Sequence, residues 1–137
     1  MPTSNLYTYQ TDILGDAYQQ MTLNFADDYD GKVIATLIRK KAAQATKKAV
    51  LYIHGFADYF FQKEMAEQFN AHGYDFYALD LRKYGRSKLP HQIFYNVLDL
   101  NEYDAEITQA LDIIAKEQHT QVLLAGHSTG GLTATLY

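Results

Sequence analysis

Hydrophobic positions fall into two different rhythms along this chain. Met21, Leu23 and Phe25 alternate with polar residues, the period of a strand with one face buried. Residues 27–31, Asp-Asp-Tyr-Asp-Gly, carry a hairpin turn signal, and residues 33–38 read as the partner strand. From residue 49 the alternation stops. Val50, Leu51, Tyr52 and Ile53 form a continuous apolar run, the pattern of a strand covered on both faces. Phe61, Met65, Ala66 and Phe69 then recur at helical spacing, with Gly73 placed as a C-terminal cap. Phe76, Tyr77, Ala78 and Leu79 predict a second apolar strand, ending at Asp80, and a loop follows over 81–98. Asp99 with Glu102 three residues later is a variant of the capping box. It opens a predicted helix with Tyr103, Ile107, Ala110, Leu111 and Ile114 on one face. Val122, Leu123, Leu124 and Ala125 predict a third buried strand.

The resulting order is hairpin, strand, helix, strand, helix, strand. This is an α/β pattern: an antiparallel hairpin leading into a mostly parallel sheet flanked by helices. Ligands of such sheets bind beyond the C-terminal ends of the strands, which is where the distinctive short motifs of this chain fall.

Bulk properties narrow the field. The chain has 137 residues, a length suited to one domain, and a formal net charge of -4. Mild acidity argues against nucleic acid as a partner, because phosphate binding depends on basic surface. Cysteine is absent, which excludes disulfides and thiolate metal sites, and no motif calls for a cofactor. No apolar run approaches the roughly 20 residues of a transmembrane helix. The polar start, residues 1–12, lacks a signal-peptide pattern, so a cytoplasmic protein is expected. Basic residues between Arg39 and Lys48 read as a solvated connection between strands. The 12 Tyr and 7 Phe are expected in the core or in a pocket wall.

Gly126-His127-Ser128-Thr129-Gly130 is a G-x-S-x-G motif directly after a predicted strand and before a possible helix start. Strand, sharp turn, helix is the setting of a nucleophile elbow. Small residues at 126 and 130 would allow a strained serine, and the Thr129 N–H would face a developing oxyanion. His54-Gly55-Phe56, at the end of the first buried strand, can supply a second donor, the N–H of Phe56.

Taken in order, His54-Gly55-Phe56, then Asp80-Leu81-Arg82-Lys83-Tyr84-Gly85-Arg86-Ser87, then Gly126-His127-Ser128-Thr129-Gly130-Gly131, the chain resembles the α/β-hydrolase superfamily. The resemblance is to the serine aminopeptidase S33-like branch that includes monoacylglycerol lipases and lysophospholipases, and it runs from about residue 21 to residue 137. The middle motif resembles a D-x-R-G-x-G-x-S loop, with Lys83 where glycine is usual. This likeness implies that Ser128 is the nucleophile, that Phe56 and Thr129 form the oxyanion hole, and that Asp80 and Arg82 are structural. His54, Gly55, Gly126, His127 and Gly130 are then supporting motif residues. The implied substrate is a small-molecule ester, lipid-like by preference, with Phe56, Tyr59, Phe60 and Phe61 expected near the pocket.

In this fold the acid and histidine follow the serine in the chain. Neither a carboxylate nor a histidine follows Ser128. His54 is expected to hold backbone, His127 to point away from the serine, His72 and His119 to lie on the surface, and His91 to sit in a loop near the site. Serine is a weak nucleophile without a base; in subtilisin the loss of the histidine alone costs about 10⁶ in turnover. The 137 residues by themselves are therefore expected to be nearly inert, as the N-terminal portion of one α/β-hydrolase domain whose C-terminal half is missing, and the strand over 122–125, central in the whole fold, is expected to present an unpaired edge here. Two other readings stand beside the esterase: an aminopeptidase on the same fold, and a non-catalytic half-domain that binds an acyl ligand or is completed by a partner.

Overall fold

A computed structural model describes residues 8–137. Most of the polar start, residues 1–7, lies outside the described residues. The chain runs β1 (Gln10–Asp12), β2 (Gly15–Asp28), β3 (Gly31–Lys40), β4 (Lys48–Ile53), α1 (Lys63–Ala71), β5 (Asp75–Asp80), α2 (Asp104–Lys116), β6 (Gln121–Gly126) and α3 (Thr129–Leu136). Among the described residues one six-stranded sheet forms, in the order β1-β2-β3-β5-β4-β6. β2 and β3 are the expected antiparallel hairpin. Its Asx turn is closed by Asp30 N–H donating to Asp28 Oδ1 at 2.7 Å. β3 pairs antiparallel with β5, while β4 lies parallel to both β5 and β6. The short β1, with no apolar pattern of its own, pairs with β2 and went unread in the sequence.

Alternate residues of the central strands feed two cores. Leu51, Ile53, Tyr77 and Leu79 face α2 and meet Ile107, Ala110 and Ile114. Val50, Tyr52, Phe76 and Ala78 face α1 and meet Phe60, Ala66 and Tyr18. Both faces of β4 and β5 are thus covered, which is why their sequences read as unbroken apolar runs. α1 ends as its spacing predicts. Gly73 adopts a left-handed φ of 88°, Tyr74 N–H donates to Phe69 C=O at 3.0 Å, and the two rings meet edge to face at 5.9 Å.

Three expectations need correction. Asp99 does cap a helix, but that helix is a 3-10 turn over Leu100–Tyr103, and α2 proper starts at Asp104. Asp99 Oδ1 accepts from Asn101 N–H, and Glu102 reaches back to Leu98 N–H rather than to the cap residue. Second, the apolar run of β6 is not covered on both faces as a buried strand would be: it forms one edge of the sheet, the unpaired edge expected of these 137 residues taken alone, with Val122 37% and Leu123 47% exposed. Third, His119 is buried. Its ring bonds Ile114 C=O at 2.8 Å and Asp75 Oδ2 at 2.7 Å, tying the end of α2 to the start of β5.

Buried charges join the layers. Arg82 Nε donates to Glu106 Oε1 at 2.7 Å, and Arg82 N–H to Glu106 Oε2 at 2.7 Å, linking the loop after β5 to α2. Arg86 bridges Asp12 at 2.7 Å and Asp80 at 2.9 Å, and also caps Phe60 C=O. Asp80 and Arg82 are therefore structural. Burial raises the Glu106 carboxyl to about 7, against the opposing pull of Arg82. Removing one member of such a pair leaves the other charge stranded. Glu106→Leu is expected to cost about 3–5 kcal/mol, and the double replacement Glu106→Leu/Arg82→Leu to recover much of that loss, as read from urea denaturation.

Candidate active site

The last strand and last helix of the chain are joined by one abrupt turn. Ser128 stands there with φ 57° and ψ -122°, a conformation that side chains avoid. What holds it is backbone contact on every side. A Cβ on Gly126 would lie 2.5 Å from Gly130 C, and one on Gly130 would lie 2.2 Å from Ile53 O and 2.4 Å from His54 O. One on Gly55 would approach Ser128 Cβ to 3.3 Å. His127 N–H donates to Ile53 C=O at 3.1 Å, so the turn is pinned to the end of β4 as well as to α3. Ser128 itself is exposed at the C-terminal end of β6.

Thr129 is the first residue of α3, so its N–H has no partner within the helix. The N-terminal turn of α3 thus offers a donor beside Ser128, with the positive end of the helix dipole behind it. Gly130 N–H and Gly131 N–H instead close the turn, donating to His127 C=O and Ser128 C=O, both at 2.9 Å.

Across the turn lies the His54-Gly55-Phe56 loop. His54 is buried and accepts Leu81 N–H on Nε2 at 3.0 Å, which places its proton on Nδ1, facing Gly55 C=O at 2.8 Å. Burial pushes its pKa down, so the ring is held neutral. His54 thus holds backbone, as expected. His127 lies on the α1 side with Tyr52, Asp58 and Met65. His72 is exposed and bonded to Gln68 C=O at 2.8 Å. His91 meets Lys32 C=O, at the start of β3, at 3.2 Å, which places it at the hairpin rather than at the serine. Among the described residues no histidine or carboxylate bonds the Ser128 hydroxyl.

A cavity of about 250 Å³ opens between the two loops, lined by His54, Phe56, Tyr84, Tyr95, Tyr103, Thr129 and Thr133 among others. Its aromatic wall differs from the expected one. Phe60 is fully buried in the α1-side core, and Tyr59 and Phe61 pack on each other elsewhere; Phe56 alone of the four lines the cavity. Tyr84, Tyr95 and Tyr103 complete it; Tyr84 and Tyr95 come from the 81–98 loop, whose irregular path carried no periodic signal, and Tyr103 was read as the first residue of a helix face rather than as pocket wall. A wider groove of about 560 Å³ along α2, lined by Asp104, Thr108, Asp112 and Lys116, shares no residue with this site.

The model for "Serine aminopeptidase, S33" matches residues 44–137, which include all three motifs. The chain belongs to the serine aminopeptidase S33 family of α/β-hydrolases. It is 32% identical over 97 residues to epoxide hydrolase 4 of Mus musculus, covering 69% of this chain and 25% of that protein. Its fold is shared with a thermostable carboxyl esterase from Bacillus coagulans (TM-score 0.71, 19% identity, 90% of this chain and 40% of that one). A soluble variant of monoglyceride lipase from Saccharomyces cerevisiae is also similar (TM-score 0.61, 21% identity, 91% and 38%). The chain therefore spans about a quarter of the curated relative and about two fifths of the solved ones. No helix among the described residues is long and apolar enough to cross a membrane.

Two outcomes follow from this S33 geometry. Gly130→Ala is expected to cost at least about 4 kcal/mol, because the atoms in its way are backbone, whereas Gly131→Ala, with nothing nearer than 3.8 Å, should be neutral or stabilising by up to about 1 kcal/mol. Thermal melts of the two variants check this. His54 is harder to protonate in the folded chain than in the unfolded one. The unfolded chain therefore takes up the proton first as pH falls below about 6.5, and stability drops there. Glu106, raised to about 7, takes up its proton in the folded chain first and works the opposite way over the same range, so the His54 contribution is the difference between the parent and His54→Gln, read by denaturation from pH 7.5 to pH 5.5 (about one unit either side of the ordinary histidine value).

Proposed function

We propose that the protein is a serine hydrolase of carboxylic esters that works through an acyl-enzyme. The observation that carries this reading is the strained, exposed Ser128 at a strand-to-helix turn sealed by glycines. Strain of this kind persists only where surroundings enforce it, and it collects at functional sites. In the reaction, Ser128 Oγ attacks the carbonyl carbon and gives its proton to a base. The oxyanion is held by the N–H groups of Phe56 and Thr129. Its collapse expels the alcohol, which takes that proton, and water then repeats the sequence to release the acid.

The base and its carboxylate partner lie, on this reading, outside these 137 residues. The family match makes such a longer protein reasonable, since the chain spans only part of its relatives. The non-catalytic half-domain remains the reading to adopt if the naturally made protein has no more than these residues.

Chemistry separates the ester from the epoxide suggested by the mouse relative's name. Serine attack on an epoxide would leave an ether, which water does not cleave under these conditions; attack on an acyl group leaves an ester, which it does. The residues around the 250 Å³ cavity are mostly aromatic and apolar, and an aminopeptidase would have to draw the acid that holds its substrate's ammonium group from outside these 137 residues. A lipid-like or aromatic acyl group suits the cavity's ring-lined wall.

With the protein at the length its source cells make, a fluorophosphonate probe is expected to label Ser128, and esterase activity to fall by about 10⁴-fold or more in Ser128→Ala. An intact esterase in that variant would sink the proposal. Aminoacyl amides cleaved faster than any acyl ester would move the assignment to an aminopeptidase.

A further inference from the structure

The loop after β5 places a lysine where a buried cation needs strong reasons to be. Lys83 has a left-handed φ of 68°, and its side chain is fully buried. Its Nζ donates to Asp30 Oδ2 at 2.9 Å and to Asn96 C=O at 2.7 Å. It also lies 2.8 Å from Asp28 Oδ2, a charge contact without hydrogen-bond alignment. The ammonium thus joins the β2–β3 turn to a stretch of chain more than a dozen residues beyond Lys83 itself.

That stretch carries Tyr95. Its φ of 63° is also left-handed, and its N–H donates to Lys83 C=O at 3.3 Å. Two strained residues are therefore tied backbone to backbone, and the next carbonyl in the chain is held by the lysine's own ammonium. Asn96 Nδ2 adds a bond to Asp30 Oδ2 at 2.9 Å. Tyr95 lines the cavity together with Thr129, the residue after Ser128. It packs 5.0 Å from Phe56 and 4.6 Å from Tyr84, which in turn lies 4.5 Å from His54.

We propose that Lys83 is a positioning residue for substrate selection: by clamping Asn96 to the hairpin carboxylates it fixes Tyr95 as a rigid wall of the acyl pocket. The proposal rests on the ester reading above for its substrate, and on geometry alone for the clamp. A glycine at 83 would accept the left-handed backbone more easily, but it would leave Asp30 and the Asn96 carbonyl without their cation, and Asp28 with Arg82 alone, at 3.6 Å. The lysine's stem and charge are what connect the hairpin to the pocket.

Two readouts on the naturally made protein test this, with Lys83→Met, Tyr95→Ala and the double variant. The first is amide hydrogen exchange. Lys83→Met is expected to speed exchange over residues 93–97 while leaving β4 and β5 unchanged. The second is kcat/KM across p-nitrophenyl esters from acetyl to decanoyl. The parent's preference among acyl lengths should flatten by about tenfold in Lys83→Met, the discrimination that a methylene-sized misfit carries. The change should fall on KM, with kcat for the acetyl ester nearly unchanged. Tyr95→Ala should flatten the profile similarly, and the double variant no further than Tyr95→Ala alone. Should Lys83→Met not fold, Asp30→Asn tests the same clamp, with smaller shifts in the same directions. Unchanged exchange over 93–97, equal loss toward every ester, or additive effects in the double variant would each overturn the proposal. A parent that cleaves no ester overturns the ester reading instead, and exchange still decides the clamp.

Discussion

One atom, the carbonyl oxygen of Ile53, sets the distance between the two halves of the site. It accepts His127 N–H at 3.1 Å, and it stands where any side chain at residue 130 would have to go. β4 and β6 run parallel and end level, with Ile53 opposite Gly126. Their ends are therefore bound by backbone to backbone, with no side chain between them to rotate or yield. The His54-Gly55-Phe56 loop leaves β4 from this point, and the Ser128 turn leaves β6 from it. Both inherit their placement from the same contact, so a change of a few tenths of an ångström there moves the serine and the facing loop relative to each other. Electrostatic stabilisation of a developing charge needs donors fixed at that level of precision before the reaction begins.

The 80–88 loop supports this arrangement from the side, and does so with charge. Arg82, Lys83 and Arg86 reach outward from it: Arg82 to α2 through Glu106, Lys83 to the hairpin turn through Asp28 and Asp30, and Arg86 to β1 through Asp12, with Arg82 also 3.6 Å from Asp28. Three cations on one short loop would repel one another if left alone. Each is held close to at least one carboxylate instead, so the loop has a single well-defined conformation. The carboxylates also answer the burial of Lys83. Desolvation lowers its pKa, but Asp28 and Asp30 more than offset this, and its ammonium stays charged. Such pairs are weak evidence for net stability, since bringing ions out of water costs about what their attraction returns. What they provide here is geometry, because only one arrangement satisfies all three.

Much of this was legible in the chain, for identifiable reasons. Central strands announce themselves because both faces are apolar, and β4 and β5 lie where residues 50–53 and 76–79 indicate. Gly73 was readable because its left-handed cap has a fixed relation to the helix before it. G-x-S-x-G was readable because steric exclusion at 126 and 130 admits no side chain. What failed to show was set by partners distant in sequence. His119 was placed on the surface because nothing nearby predicts Asp75, 44 residues earlier, as its partner. β1 has three residues and no apolar rhythm. Tyr84 and Tyr95 line the pocket because Lys83, Asn96 and the hairpin turn fold the loop over it, and no local period encodes that path.

The described residues hold a serine fixed in a strained turn, an N–H beside it and a shaped pocket, and no histidine or carboxylate among them bonds that serine; on the proposed reading the base comes from elsewhere. The two contributions differ physically. Oriented donors and a pocket lower the energy of the oxyanion whatever generates it, and in subtilisin they leave about 10³–10⁴ over water after the triad is gone. Proton transfer instead requires a group whose position and pKa are matched to the serine at the moment of attack. On the proposed ester reading the stabilising part would be built from backbone at the ends of β4 and β6, where the sheet holds it rigid. In such a division the more exacting geometry would belong to the oxyanion site, whose proposed donors cannot be moved without moving strands. A base needs only to reach an exposed hydroxyl, so it can come from a separate segment without disturbing that frame.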